Sequence, residues 1–359
     1  MKLSFSKKAV IAPLVALAVS ASVTSLFLVC MGESPSILVE AFTSTFFNSF
    51  GLGYTLYYTT PLILTGLSVA LSFHAGLFNI GSEGQLHLGA IAIVALSCFF
   101  PHLPSFLAVP LGVLVALVFG GIWGMIAGYF KAKRGSHEVI VTILLNFIGI
   151  ILVNYLILYP FKNTEVQNPE TVEIGKGYVL PLLSDFTTLL GSDFFLTTPV
   201  NITLFLSIIA AILCYLFLFH TSKGYEIRAL GQNPTAAEFN GIAVGANFIL
   251  VLTLSGALSG LVGVNEVMGY HHKLIEGFSP QYGFTGIAVA LIARNHPLGI
   301  ILSALLFGAI HNGAREIEFL SEKMTKEVSV IMEALIIIII ASQPYFVRLF
   351  SKSKKEGAK

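Results

Sequence analysis

Apolar runs recur along almost the whole chain, separated by short polar stretches. A helix needs about 20 apolar residues to cross a hydrocarbon core. Runs of this kind fall at residues 9–31, 54–73, 84–100, 106–130, 138–160, 199–219, 246–269, 280–293, 298–312 and 328–343. The pattern predicts an all-α polytopic membrane protein of about ten transmembrane helices, with residues 1–359 forming a single transmembrane domain. The runs at 84–100, 280–293 and 298–312 are short. In transporters, short or glycine-interrupted segments mark broken helices beside the pathway. Lys2, Lys7 and Lys8 precede the first run, but that run exceeds the roughly 7–15 residues of a secretory signal core. Cys30 follows Phe27-Leu28-Val29, a poor lipoprotein cleavage site. The first run is therefore expected to remain as an uncleaved span.

Between the runs, residues 161–198 and 220–245 are too long to be turns. Residues 32–53, rich in Phe and Ser, suit an outer-interface segment. Residues 313–327 carry Arg315, Glu316, Glu318, Glu322, Lys323 and Glu327. They read as a solvated, amphipathic connection with i,i+4 charge pairs.

Composition supports the membrane reading. The chain is 55% hydrophobic and 11% charged, whereas soluble domains carry roughly 25% charged residues. A net charge of +1 gives no sign of a nucleic-acid partner. Cys30, Cys98 and Cys214 show no CxxC spacing and read as packing residues rather than metal ligands or disulfide partners. Cytoplasmic loops collect Lys and Arg. With the N-terminus inside, fourteen of the twenty Lys and Arg residues fall inside and six outside. Both termini are then cytoplasmic, and residues 344–359 form a basic cytoplasmic tail.

Pro110-Leu111-Gly112 with Phe119-Gly120-Gly121-Ile122 is echoed by Pro297-Leu298-Gly299 with Phe307-Gly308-Ala309-Ile310. By the expected topology the copies run in opposite directions, as in the inverted repeats of many transporters.

The most informative stretch is FNIGSEGQLHLGA at 78–90. Its glycines loosen the helix, while Asn79, Glu83, Gln85 and His87 place polar groups between two apolar runs. Irregular backbone at membrane depth survives only inside protein or beside a water-filled cavity. An ionisable residue there marks a functional site by default. An ordinary cytoplasmic turn with a capping Asn and a solvated Glu fits the same letters. Asn146, Asn265 and Glu266 interrupt later apolar runs. Asn146 and Asn265 fit either a pathway or hydrogen bonding between helices, and Glu266 fits either a pathway or a solvated interface. In the loop at 220–245, Asn233 can cap a short helix with Pro234 at its first position. Gly241 would end that helix, and Glu226 and Arg228 precede it. A phosphate-binding loop needs GxxxxGK followed by Ser or Thr. The chain's Gly175-Lys176 lacks that setting, and no HExxH metal motif is present either.

FNIGSEGQLHLGA resembles the signature of permease subunits in bacterial ABC importers, specifically the nucleoside and simple-sugar branch of the branched-chain amino acid permease superfamily. GYEIRALGQNPTAA at 224–237, SGALSGLVG at 255–263 and GFTGIAVALIARNHPLG at 283–299 resemble further segments of that family. The likeness runs from about residue 54 to 343. An acidic residue often stands in the family where this chain has Thr285. The resemblance implies import of a small polar solute, most simply nucleosides, with riboflavin or a simple sugar as alternatives. It implies a bacterial cytoplasmic (inner) membrane location and a separate ATPase subunit that binds ATP and Mg²⁺, with no cofactor or metal on this chain. Further partners would be a second permease, related or identical, and an extracytoplasmic substrate-binding lipoprotein. Asn79, Glu83, Gln85, Asn146, Asn265, Glu266 and Phe284 are the candidate pathway residues. Glu226, Arg228, Asn233, Pro234 and Glu238 are the candidate coupling residues, in a loop that would dock on the ATPase. A proton-coupled secondary transporter, with Glu83 as its titrating group, is the competing reading. An intramembrane enzyme is a distant third.

Overall fold

The computed structural model describes residues 21–321 together with residues 19, 331, 334, 335 and 338. Most of the expected span at 328–343, the basic tail at 344–359 and the start of the first span lie outside the described residues. Thirteen α-helices are named here among the described residues. They are α1 (Ala21–Cys30), α2 (Ser36–Phe47), α3 (Ser49–His74), α4 (Ser82–Phe99), α5 (Ser105–Arg134), α6 (Glu138–Leu158), α7 (Leu183–Leu189) and α8 (Thr203–His220), followed by α9 (Ser222–Gln232), α10 (Pro234–Phe239), α11 (Val244–Gly260), α12 (Tyr282–Ile292) and α13 (Pro297–Leu320). A π-helical stretch, Val264–His271, extends α11. Seven of these segments are long and apolar enough to cross a membrane: α3, α4, α5, α6, α8, α11 with its extension, and α13.

Three expectations change. The run at 280–293 holds only the 11-residue α12, too short to cross a bilayer alone. The run at 298–312 is instead the first part of a 24-residue helix. Residues 313–320 therefore continue α13 rather than forming a separate connection. Arg315 pairs there with its neighbour Glu316 at 2.7 Å.

The chain divides into two compact units, Met1–Leu52 with Ala309–Lys359, and Gly53–Gly308. In the first, Leu28, Ala41 and Ile317 form a small core. Asn312 donates to the Gly51 carbonyl at 2.9 Å, and Ser44 donates to Glu316 at 3.0 Å.

In the second unit the buried helices are the less apolar ones. Of the apolar stretches of α3 and α4, 83% and 78% are buried, against 28% in both α5 and α6. Lipid solvates an apolar outer face, so the strongly hydrophobic helices sit outside and the polar-bearing ones inside. Helix α11 lies along α5 through small residues. Cβ atoms added at Gly120, Gly124 and Gly256 would sit 2.4 Å from the Gly256 carbonyl oxygen, 2.1 Å from that of Leu252 and 2.3 Å from that of Gly120. These four-residue spacings bring the two backbones into contact, the usual solution where lipid gives no hydrophobic drive between helices. Gly308 of α13 lies in the same way against Thr55 and Thr59 of α3.

Residues 159–202 are ordered by their surroundings. Isolated β-bridges join Lys162 to Thr171, Glu170 to Ile275 and Leu182 to Asn201. Lys273 pairs with Glu170 at 2.8 Å. Tyr178 is fully buried and donates to the Phe100 carbonyl at 3.0 Å.

Candidate functional site

Two non-helical arms build the site. Residues 75–81 connect α3 to α4, and residues 272–281 connect the π-helical stretch to α12. Gly76 starts the first arm at φ +72°, a conformation L side chains rarely adopt, and its backbone lies against Gly231. The arm's polar groups are satisfied by side chains from other helices. Asn146 of α6 accepts from the Gly84 amide at 2.7 Å and donates to the Ile80 carbonyl at 2.6 Å. Asn79 and Gln85 form a reciprocal amide pair at 3.0 and 3.2 Å. Asn79 also donates to the Ser255 hydroxyl at 2.7 Å. Ser68 is the hub of this group, meeting Ser255 and Ser259 at 2.8 Å and Ser82 at 3.1 Å. The whole group is buried. Asn79, Gln85 and Asn146 thus hold an unwound backbone in place, which is the helix-bonding reading of Asn146.

Glu83 does something different. It is 3% exposed, so it is no solvated turn residue. Its carboxylate accepts from the Gly283 amide at 2.8 Å. Gly283 belongs to the first turn of α12, whose amides have no partner within the helix. Glu83 therefore meets the positive end of α12 from the first turn of α4. A Cβ at Gly283 would lie 2.4 Å from the Glu83 amide nitrogen, so two helix N-termini meet here. The His87 ring faces Phe278 of the second arm at 4.8 Å between centroids.

Glu266 is the second buried carboxylate, 1% exposed, which overturns a solvated interface position for it. Tyr57 of α3 donates to one oxygen at 2.6 Å and Asn265 to the other at 2.9 Å. Asn201 donates to Asn265 at 3.2 Å. The Tyr57 ring packs edge-on against Tyr58 and Tyr270, each 5.1 Å away. Tyr282 lies within hydrogen-bonding reach of Tyr57. Residues 282 and 283 thus link the two carboxylates: the Tyr282 side chain reaches Tyr57, which donates to Glu266, and the Gly283 main-chain amide donates to Glu83. Phe284 is 42% exposed and stands apart from this group. Among the described residues, no group of three or more His, Cys, Asp or Glu could hold a metal ion.

The reading of residues singly missed Tyr57, Ser68, Asn201, Ser255, Ser259, Tyr282 and Gly283. The four-residue spacings of Ser68 with Ser72 and Ser255 with Ser259, on otherwise apolar helices, were the available signal.

A second candidate surface lies at α9 and α10. Asn233 accepts from the Ala236 amide at 3.0 Å, and α10 begins at Pro234, as the capping pattern predicts. Gly241 follows at φ +80°. Ile227 and Leu230 anchor α9 in a core with Leu71, Leu77 and Val251. Glu226 accepts from Lys223 at 2.7 Å and from Asn247 of α11 at 3.1 Å. Lys223 above all, then Asn247, holds the Glu226 carboxyl below its ordinary pKa. Arg228 lays its guanidinium on the Phe219 ring at 5.0 Å rather than facing outward. Glu238 is exposed. A cavity of about 330 Å³ opens between the helices, lined by Tyr225, Glu226, Gln232, Asn233 and Asn240 among others. Phe239 is 88% exposed at its side.

Residues 51–341 match the family described as the permease component of branched-chain amino acid transport systems. A guanosine ABC transporter permease of Bacillus subtilis (strain 168) is 32% identical over 351 residues, covering 96% of this chain and 97% of that protein. A nucleoside ABC transporter permease of Lactococcus lactis subsp. cremoris (strain MG1363) is 34% identical over 334 residues, covering 92% and 90%. A glucose ABC transporter permease of Haloferax volcanii is 33% identical over 309 residues, covering 86% and 80%.

Proposed function

Because this chain belongs to the family of branched-chain amino acid transport system permease components, we propose that it is the membrane-spanning subunit of an ATP-driven importer of nucleosides. The observation that carries the substrate is the end-to-end likeness to the guanosine permease, covering 97% of that protein. The geometry agrees with such a cargo. A nucleoside is flat and apolar at the base, and it offers N–H and O–H donors. Buried carboxylates, amides and tyrosines at Glu83, Glu266, Asn265, Tyr57 and Tyr282 suit that chemistry.

In this reading the permease has about ten spans with both termini in the cytoplasm, in a bacterial inner membrane. The end carrying Lys131, Lys133 and Arg134 faces inward, and residues 159–202 face outward, as the positive-inside rule favours. Two features support an inverted repeat. Gly120 seats α5 on α11 as Gly308 seats α13 on α3, and the arms after α3 and after the α11 extension end at facing helix N-termini. A separate ATPase, holding ATP and Mg²⁺, docks at α10 and the cavity beside it. Its closure acts through Glu226 and Asn247 on α11. A second permease subunit and a substrate-binding lipoprotein complete the assembly, and the chain itself performs no catalysis.

The test is uptake of labelled nucleosides by cells with and without this chain. Loss of nucleoside uptake on deletion supports the proposal. Loss of glucose uptake instead moves the cargo to a simple sugar, which the glucose permease relative favours. Uptake by the purified chain alone under a pH gradient would replace the ATP-driven reading with proton coupling.

A further inference from the structure

Glu266 sits in a π-helical stretch at the end of an apolar span. π-helical turns are rare and gather at functional sites. A carboxylate inside a membrane is costly. Tying α3 to this stretch needs one acceptor for the Tyr57 hydroxyl, which a neutral amide would supply more cheaply. The structure shows something else: two donors side by side on one carboxylate, the Tyr57 hydroxyl on one oxygen and the Asn265 amide on the other. A carboxylate is built to accept such a fork.

We propose that Glu266 is a base-recognition station for a purine edge presenting two adjacent N–H donors, the edge of a guanine-type base, and that Tyr57 and Asn265 occupy it while it is closed. The proposal rests on the nucleoside reading above. In this structure the station is closed, with Glu266 1% and Tyr57 4% exposed. Separation of α3 from the π-helical stretch removes the Tyr57 hydroxyl from one oxygen, beside which the His271 ring stays, its Nε2 3.7 Å away. Tyr57, Tyr58 and Tyr270, with centroids 5.1 Å apart pairwise about Tyr57, then offer aromatic faces on which a base stacks. An adenine-type edge sets an acceptor beside its amino group and repels one carboxylate oxygen. Tyr282 touches Tyr57, and Gly283 bonds to Glu83, so a base at Glu266 is felt at the second carboxylate through α12's first turn.

The experiment compares uptake of guanosine, inosine and adenosine by cells carrying the intact transporter, with this chain as wild type or Glu266→Gln. All arms share the same receptor, so its own preference cancels in the ratio. The guanosine-to-adenosine ratio is expected to fall by about tenfold or more in Glu266→Gln, the usual cost of removing a charged acceptor from a buried pair of donors. Inosine, with one of the two N–H groups, should fall between. Glu266→Asp should keep the wild-type order. An unchanged ratio in Glu266→Gln, or an equal fall for all three nucleosides, overturns the proposal while leaving nucleoside import standing. A wild-type transporter that carries glucose and no nucleoside overturns both. Should Glu266→Gln not reach the membrane, Tyr57→Phe decides. It removes one closing donor and keeps the carboxylate, so a raised guanosine ratio supports the station and an unchanged or lowered ratio overturns it.

Discussion

Asn146 carries the clearest single-residue consequence. Its side chain is the partner of the Gly84 amide and the Ile80 carbonyl, on either side of the α4 start. Asn146 is buried, and Asn146→Ala removes the partner of both main-chain groups, at a cost of about 1–3 kcal/mol each. A clear drop in the detergent melting temperature of the purified protein is expected, and an unchanged melt would show that water replaces the amide. Glu226 gives a pH prediction. Its pKa is lowered in the folded chain, chiefly by Lys223. Its bonds to Lys223 and Asn247 are therefore present at neutral pH, and they are lost only as pH falls through that lowered value. Lys223→Ala lifts the carboxyl back toward its ordinary range. A fluorophore at position 240 should then report an acid transition at higher pH than in the parent, and coincident transitions would contradict the assignment. Single residues were legible in sequence where polarity broke an apolar run, as at Asn79, Glu83, Asn146 and Glu266. Tyr57 and Ser68 were not, because tyrosine and serine inside an apolar helix look the same whether they pack or meet a carboxylate. Which of them meets Glu266 is decided by the crossing of α3 over a stretch two hundred residues away.

At the scale of elements, the α5–α11 contact has no room for a side chain. Gly120→Val would place a Cβ 2.4 Å from the Gly256 carbonyl oxygen. Overpacking of this kind costs typically about 1–3 kcal/mol, more where backbone must move. Loss of folded protein from the membrane fraction is expected, whereas Gly245→Ala, whose added Cβ meets Ala132 at an ordinary 3.5 Å, should leave yield nearly unchanged. At α10, Asn233→Ala removes the bond to the Ala236 amide and costs about 1 kcal/mol of local stability. Faster amide exchange confined to residues 234–240 is the expected signature. The capped helix α10 was readable because Asn-Pro followed by small residues and a closing glycine is a local code. The shortness of α12 was not, since an apolar run of fourteen residues at 280–293 has the same letters whether its first part is helix or connecting arm. The four-residue glycine spacing of α5 and α11 was on the page, but its partner was not.

For the whole molecule, the ten apolar runs include the seven segments long and apolar enough to cross a membrane among the described residues, because lipid enforces hydrophobicity on each segment independently, while the family was legible in motifs such as FNIGSEGQLHLGA. Orientation is a global property and has a direct test. Single cysteines replacing Lys133 and Lys176 should label from opposite sides of intact vesicles, with position 176 reached by an impermeant reagent added outside spheroplasts. Labelling of both from one side would break the topology proposed here. The arrangement of less apolar helices inside more apolar ones also bears on how the protein is made. A segment entering the bilayer during synthesis is judged by its own residues. α3, with Thr59, Thr60, Thr65, Ser68 and Ser72 buried among its neighbours, leaves the ribosome before α11 supplies the partners of Ser68 and Ser72. Biogenesis must therefore keep a half-satisfied helix waiting through more than a hundred and fifty residues of further synthesis, and a chain truncated after α8 should be recognised and degraded rather than accumulate.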